Sequence, residues 1–153
     1  MKEKIFMFDL DNTLVKTNRA NNESYKEAIF AITGKSVEIK KERFTRPDLV
    51  NVLPNLSDSQ IAEIIKEKEK CYAKHISETT VNEQLVKILR ILKREGCTTI
   101  LLTESHKIRA QSVCNYYSLT QLFVKQYYKE DYTNGDKYMF LKCSTWNILF
   151  WRI

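Results

Sequence analysis

Apolar residues occur along the chain both as short continuous runs and as longer stretches with helical spacing. The run Lys4–Phe8 is followed at once by acidic and polar residues, which is typical of a buried strand that ends in a loop. Cys97–Leu102 is a second run of this kind, rich in β-branched residues, and it ends at Thr103. Further strands are predicted near Leu122–Lys125 and at Asn147–Trp151. The continuous character of these runs favours strands that are buried on both faces.

The stretches with helical spacing lie between these runs. They predict helices over about Asn22–Ile32, from Ser57 to about His75, over about Asn82–Arg94, over Ile108–Tyr117 and over Tyr138–Lys142, the last after the turn signal Asn134–Asp136. Strands that alternate with helices indicate an α/β fold with a doubly wound parallel sheet.

The segment from about Lys16 to Thr80 departs from this alternation. It carries predicted helices but no predicted strand, and Pro47 and Pro54 indicate an irregular or short-helical stretch inside it. We therefore expect residues 16–80 to be an insertion, and residues 1–15 and 81–153 to form the core.

Composition and charge narrow the class of protein. The chain has 153 residues, of which 43% are hydrophobic and 29% charged, so it has enough apolar surface to fold. Its apolar runs are too short to cross a bilayer, and acidic residues interrupt the N-terminus before a signal peptide could develop, so we expect a cytoplasmic protein that does not bind membranes. The cysteines show no CxxC pair, which predicts reduced thiols. The net charge of +6 is compatible with nucleic acid or with a phosphorylated small molecule, but lysines alternate with glutamates, which favours solvated helix faces over nucleic-acid binding.

The sequence Phe8-Asp9-Leu10-Asp11-Asn12-Thr13-Leu14 is the strongest indication of chemistry in the chain. It follows a buried strand, and the carboxyl ends of parallel strands are where open α/β sheets bind ligands. One carboxylate could act as a nucleophile while the other handles protons. Two carboxylates this close repel each other unless a cation lies between them, and oxygen ligands select Mg²⁺.

On these residues the chain resembles the haloacid dehalogenase-like hydrolase superfamily, whose first motif reads DxDxT after a buried strand. The resemblance implies a Rossmann-like core, with Asp9 as the nucleophile and Asp11 as the general acid and base. It also implies Mg²⁺ bound by the Asp9 side chain and the Asp11 backbone carbonyl. The second Asp implies the phosphatase branch of the superfamily, and the position of residues 16–80 implies a helical cap.

Two further motifs of the superfamily have counterparts here. Thr103 ends the strand Thr99–Leu102, as does the Thr or Ser that binds a phosphoryl oxygen in relatives. Lys137 follows a polar turn, which makes it the candidate for the lysine that neutralises phosphoryl charge. Glu104 departs from the usual small or amide residue, and it would repel phosphate unless it turned outward or engaged the metal.

The fourth motif of the superfamily has no counterpart. In relatives an apolar strand ends in acidic residues that complete the metal site, whereas here no Asp or Glu follows Asp136. The resemblance therefore implies either weak metal affinity, substitution by a group such as Glu104, or an inactive truncated member. Mg²⁺ keeps several waters, so the loss of one ligand need not abolish binding.

The sequence thus predicts a Mg²⁺-dependent hydrolase of small phosphomonoesters that forms an aspartyl-phosphate. The alternative is a catalytically impaired member that acts as a binding module, and a basic nucleic-acid binder is a weaker third interpretation. Arg19, Arg43 and Arg46 could contact a second anionic group of the substrate, although surface positions are expected for each. His75 and His106 are given no catalytic role. The sequence leaves substrate identity and oligomeric state open.

Overall fold

The fold was analysed in a computed structural model that describes residues 4–132 and residue 137. The predicted turn at Asn134–Asp136, the helix at Tyr138–Lys142 and the strand at Asn147–Trp151 lie outside the described residues. The chain forms two compact units, one comprising residues 1–16 and 81–153 and the other residues 17–80. In the part of the chain that is described, no helix is both long and apolar enough to cross a membrane.

The described residues of the first unit form a three-stranded parallel sheet. Its strands are β1 (Ile5–Phe8), β4 (Thr98–Leu102) and β5 (Lys125–Tyr127), in the order β1-β4-β5. Helix α4 (Glu83–Arg94) precedes β4, and helix α5 (Lys107–Tyr116) connects β4 to β5. The central strand is the most buried, because four of its five residues are inaccessible to solvent. The predicted parallel α/β core is confirmed.

Two very short strands flank the second unit in the sequence. They are β2 (Val15–Lys16) and β3 (Thr80–Val81), and they form a separate two-stranded sheet. Between them lie α1 (Asn18–Thr33), α2 (Arg46–Val52), α3 (Asp58–Tyr72) and a 3₁₀ helix over Ala73–Glu78. The described residues of the second unit are therefore helical, with a core formed by residues such as Tyr25, Ile29, Phe44, Leu49 and Ile64.

Helix α1 begins at Asn18, earlier than the Asn22 that its apolar spacing predicts. The added turn is polar but buried in part, because the Asn21 side chain donates a hydrogen bond of 2.9 Å to the Phe44 carbonyl. Such a turn carries no apolar period for the sequence to reveal. At its other end the helix stops at Gly34, whose φ of 69° is the left-handed conformation expected there.

The stretch around Pro47 is a helix of seven residues, α2. Thr45 and Asp48 form a capping box in which the Asp48 carboxylate accepts a 2.7 Å bond from the Thr45 backbone N–H. Pro47 lies in the first turn, where its missing N–H costs nothing. Of the two alternatives predicted for this stretch, irregular or short-helical, the structure has the short helix.

The third strand lies at Lys125–Tyr127, a few residues after the predicted Leu122–Lys125. Leu122 belongs to a 3₁₀ turn, and Phe123 is buried with its ring 6.2 Å from the ring of Phe8 in an edge-on arrangement. The apolar signal therefore came from residues that pack on the sheet before the strand begins. The strand itself is short, polar and at the edge of the described sheet, a position where apolar residues are not required.

Candidate active site

The parallel register of β1 and β4 brings two polar loops to one edge of the sheet. Phe8 lies opposite Leu101, so the chain leaves both strands at the same level. Asp9–Asp11 follow β1 and Thr103–Ser105 follow β4. This is the carboxyl edge of the sheet, where an open α/β fold binds its ligands.

The loop after β1 is a tightly bonded turn. The Leu10 carbonyl accepts hydrogen bonds from the backbone N–H groups of Leu14 and Val15, each at 3.1 Å, and Leu10 and Leu14 are fully buried. Asn12 has a φ of 59°, a left-handed conformation that asparagine adopts more readily than most residues. Buried leucines on both sides of the turn thus fix the backbone that carries Asp9 and Asp11.

Asp9 forms an ion pair with Lys137. Its Oδ2 lies 3.2 Å from the lysine Nζ, and its Oδ1 accepts a 2.9 Å bond from the Leu10 backbone N–H. The Lys137 side chain is only 10% exposed, whereas that of Asp9 is 37% exposed. The structure therefore brings together the first and last of the four predicted site residues, with the lysine behind the carboxylate and the carboxylate open to solvent.

Thr103 and Glu104 have opposite environments at the end of β4. Thr103 is fully buried, its backbone N–H donates to the Tyr127 carbonyl at 3.0 Å, and its hydroxyl accepts a 3.1 Å bond from the Ser105 N–H. Glu104 is exposed to solvent. Of the alternatives considered for Glu104, its exposure matches a carboxylate that turns outward.

Asp11 accepts a hydrogen bond from Ser105, a residue that the sequence did not indicate as part of the site. The hydroxyl of Ser105 donates to Asp11 Oδ2, and Arg109 Nη2 donates to the same hydroxyl at 3.1 Å. Ser105 is 2% exposed and lies in the loop just before α5, and Arg109 is four residues further on, in the first turn of that helix. The i,i+4 spacing was visible in the sequence, but nothing there linked it to Asp11.

Glu130 holds the loops after β4 and β5 together. Its carboxylate accepts bonds of 3.2 and 3.1 Å from the Lys107 backbone N–H and lies 3.0 Å from His106 Nδ1. The Lys129 N–H donates to the Ser105 carbonyl at 3.1 Å. A carboxylate at the start of α5 is favoured by the helix dipole. His106 therefore has a structural partner at the site's edge, which the sequence did not reveal.

The three arginines of the second unit have different environments. Arg19 is exposed and lies 3.9 Å from Glu78, and Arg46 is also exposed. Arg43 is half-buried and donates to Thr17 Oγ1 at 3.2 Å and to Asn18 Oδ1 at 3.0 Å. Surface positions were expected for all three, and Arg43 is instead held against the start of α1.

Two buried groups next to the carboxylates are kept in their neutral form. Burial raises the pKa of the Cys114 thiol to about 12, and the charge of Asp11 adds to this shift. Burial also raises the pKa of Tyr132, with further contributions from the charges of Asp131, Asp9 and Glu104. A thiol and a phenol in these states are not nucleophiles near neutral pH.

The shift at Cys114 predicts its reactivity. Since the thiolate is the reactive form, Cys114 should resist iodoacetamide at pH 8 while the chain is folded, whereas the half-buried Cys97 should react. Peptide mass mapping after timed labelling measures both rates, and labelling in denaturant provides the control. Equal rates for the two thiols in the folded protein would contradict the burial and charge described for Cys114.

The oxygen donors at this edge fit a hard divalent cation with few protein ligands. The half-buried carboxylates of Asp9 and Asp11 follow the same strand, and Asp9 opens to solvent. Within residues 4–132 and 137, no group of three or more His, Cys, Asp or Glu side chains could hold a metal ion. Mg²⁺ commonly binds through one or two carboxylates and keeps several waters, so this donor set suits Mg²⁺.

Solved structures with the same fold carry the comparison further. A structure from Clostridium difficile that is described as a candidate phosphatase superposes with a TM-score of 0.70 at 19% identity, over 96% of this chain and 73% of that one. A predicted phosphoglycolate phosphatase from Haemophilus somnus gives 0.73 at 14% identity, over 87% and 65%. CbbY from Rhodobacter sphaeroides in complex with phosphate gives 0.68 at 17% identity, over 87% and 66%. The predicted α/β, Rossmann-like fold class is confirmed.

Sequence comparison identifies the family. No curated protein shows a significant match to the chain. The sequence model of the haloacid dehalogenase-like hydrolase, in contrast, matches residues 3–143. Because that match spans most of the 153 residues of the chain, the chain belongs to the haloacid dehalogenase-like hydrolase family.

Proposed function

We propose that this protein is a Mg²⁺-dependent phosphatase that hydrolyses a small phosphorylated metabolite through an aspartyl-phosphate. The observation that carries the proposal is the 3.2 Å ion pair between Asp9 and Lys137 at the carboxyl edge of the sheet. A carboxylate open to solvent on one side and backed by a buried cation suits attack on a phosphoryl group. Neighbouring structures described as phosphatases support the same reaction class.

The proposed reaction has two steps. In the first, an oxygen of Asp9 attacks phosphorus in line, the bond from phosphorus to the leaving oxygen breaks, and Asp11 protonates that oxygen. In the second, Asp11 takes a proton from a water molecule, which attacks phosphorus and releases inorganic phosphate and free Asp9. Lys137 and the Thr103 hydroxyl would hold the phosphoryl oxygens, so charge that develops during transfer meets fixed donors.

The proposed metal ligands are the Asp9 side chain and the Asp11 backbone carbonyl. A bound Mg²⁺ would reduce repulsion between the carboxylates and the phosphoryl oxygens. Since the described residues supply few metal ligands, we expect weak binding that needs free Mg²⁺ in solution. The helical unit over residues 17–80 would act as a cap that confers substrate preference, as its place in the sequence suggests.

Metal removal tests this function directly. A panel of phosphomonoesters, including p-nitrophenyl phosphate, should be hydrolysed in the presence of Mg²⁺, and EDTA should reduce release of phosphate to background. Added Mg²⁺ should restore the rate, because the cation is held by few ligands and exchanges freely. Circular dichroism of the EDTA-treated protein controls for loss of fold. Turnover that persists unchanged in EDTA would contradict the metal dependence.

A second candidate function is a non-catalytic module that binds a phosphorylated ligand in the same site. The limited set of metal ligands among the described residues favours it. The same panel separates the two functions when it is combined with calorimetric titration of inorganic phosphate. Phosphate binding by a folded protein without turnover of any ester would support the binding module and exclude the phosphatase.

A further inference from the structure

The side chain of Ser105 lies between Asp11 and Arg109 in the interior of the site. Ser105 is a polar residue that is only 2% exposed. The hydroxyl donates to Asp11 Oδ2 and receives a 3.1 Å bond from Arg109 Nη2. These contacts connect α5 to the loop after β1, across 94 residues of sequence between Ser105 and Asp11.

The chemistry of the three groups fixes the direction of both bonds. A guanidinium can only donate, so the Ser105 oxygen must accept from Arg109. The single hydrogen of the hydroxyl is then directed at the Asp11 carboxylate, which accepts it. A bond to an ionised acceptor is stronger than one between neutral groups, and burial strengthens it further. The arginine thus orients the serine, and the serine orients the carboxylate.

A second residue of α5 lies near Asp11. Cys114 lies further along the same helix and is fully buried, and it senses the charge of Asp11. Arg109 and Cys114 therefore both belong to the environment of this carboxylate. Arg109 reaches Asp11 through the Ser105 hydroxyl, whereas Lys137 contacts Asp9 directly.

We propose that Ser105 and Arg109 are positioning residues that hold the Asp11 carboxylate in the orientation needed for proton transfer to the leaving group. The inference rests on the proposed phosphatase function and adds two residues to it. A carboxylate bonded through one oxygen cannot rotate freely about its terminal torsion, so its other oxygen keeps a fixed direction. Proton transfer depends steeply on such placement, since a misplaced acid loses much of its effect.

Leaving-group dependence distinguishes this role from a merely structural one. An alkyl phosphate releases a strongly basic alkoxide and needs a proton from the general acid, whereas p-nitrophenyl phosphate releases a stable phenolate and needs little help. The ratio kcat/KM reports steps up to the first irreversible one, so hydrolysis of the aspartyl-phosphate does not enter it. Loss of stability or of phosphate binding would reduce kcat/KM for both substrates alike.

The test therefore compares Ser105→Ala with wild type on glycerol phosphate and on p-nitrophenyl phosphate. We expect kcat/KM to fall at least about tenfold for the alkyl ester and no more than about threefold for the aryl ester. The expected loss is smaller than the effect of removing a general acid completely, because Ser105→Ala leaves the Asp11 carboxyl in place. Ser105→Thr, which keeps the hydroxyl, should restore most of the alkyl activity. Arg109→Met should show the same selective loss. Equal losses on both esters, or no loss on either, would overturn the proposal.

Ser112→Ala is the matched control for this comparison. Ser112 lies on α5, and its hydroxyl donates within that helix, to the Ile108 carbonyl 2.8 Å away. Ser112→Ala should leave both kcat/KM values unchanged. A loss seen only in Ser105→Ala is then due to the missing hydrogen bond to Asp11 and not to the loss of a serine hydroxyl in general.

Crystal structures of wild type and Ser105→Ala give a readout that does not depend on turnover. The Asp11 carboxylate should rotate away from its wild-type orientation once the hydroxyl is removed, while Asp9 and Lys137 keep their contact. An Asp11 side chain that is unchanged in the variant would overturn the positioning role, whatever the kinetics. Failure of the wild type to hydrolyse any ester would instead refute the proposed function, while the structures would still decide whether Ser105 orients Asp11.

Discussion

Asp9→Asn is expected to reduce turnover of p-nitrophenyl phosphate by a factor on the order of 10³ or more, since loss of a covalent nucleophile is among the largest single effects in enzymes. An amide cannot form the aspartyl-phosphate, and it also removes the negative charge that faces Lys137 at 3.2 Å. Steady-state release of p-nitrophenol with Mg²⁺ measures the effect. Mass spectrometry of the acid-quenched wild type with substrate should show the added phosphoryl group on a peptide containing Asp9.

Asp58→Asn is a suitable control for this substitution. Asp58 is an exposed residue in the first turn of α3 that no step of the proposed reaction uses, so the change removes the same charge without altering a proposed catalytic group. We expect it to cost well under about 1 kcal/mol through the helix dipole and to leave turnover unchanged. If Asp9→Asn retained the wild-type rate, the nucleophilic role of Asp9 would be refuted.

Lys137→Met is expected to lower kcat/KM by about 10²- to 10³-fold, the range found when a single charge-stabilising donor is removed from an active site. The methionine keeps the length and apolar stem of the lysine, so the 90%-buried position stays filled while the cation is lost. Without that cation the Asp9 charge and the phosphoryl oxygens repel each other. Inhibition by inorganic phosphate should weaken in parallel, which titration of the rate with phosphate would measure.

Two further variants sharpen the interpretation of Lys137. Lys137→Arg keeps the charge and should retain more activity than Lys137→Met, although its planar head changes the contact with Asp9. Lys93→Met, on an exposed residue in the last turn of α4, removes a surface lysine as a control and should have no effect. A loss of twofold or less in Lys137→Met would show that the ion pair with Asp9 has no part in phosphoryl transfer.

The sequence could show for some of the predicted site residues, but not for all, that they lie close together in the fold. Asp9 and Asp11 are neighbours in one motif, so any fold that ends a strand at Phe8 keeps them together. Thr103 follows the partner strand, and parallel pairing alone brings it to the same edge. Lys137 was identified by its order after a polar turn, but its contact with Asp9 depends on where the chain after β5 lies, which no local pattern specifies.

Ser105 and Arg109 could not be assigned from the sequence, because their significance lies in a contact made across the sheet edge. A serine two residues beyond a strand and an arginine one helical turn later are unremarkable as local features. Only the register of β1 against β4, with Phe8 opposite Leu101, brings the two loops close enough for a hydroxyl to reach Asp11. The contact between His106 and Glu130, which are 24 residues apart, depends in the same way on the pairing of β4 with β5.

The sequence by itself determined the features that depend on local periodicity: the buried strands β1 and β4, the helices α1, α3, α4 and α5 to within a few residues, and the acidic motif after β1. These features follow from the local sequence, because a run of apolar residues is buried and the apolar face of an amphipathic helix packs against a core. The tertiary structure alone decided which charges meet. Lys137 pairs with Asp9, Ser105 and Arg109 orient Asp11, and Glu104 remains in solvent, because ion pairs and hydrogen bonds act over a few ångströms between residues that only packing brings together.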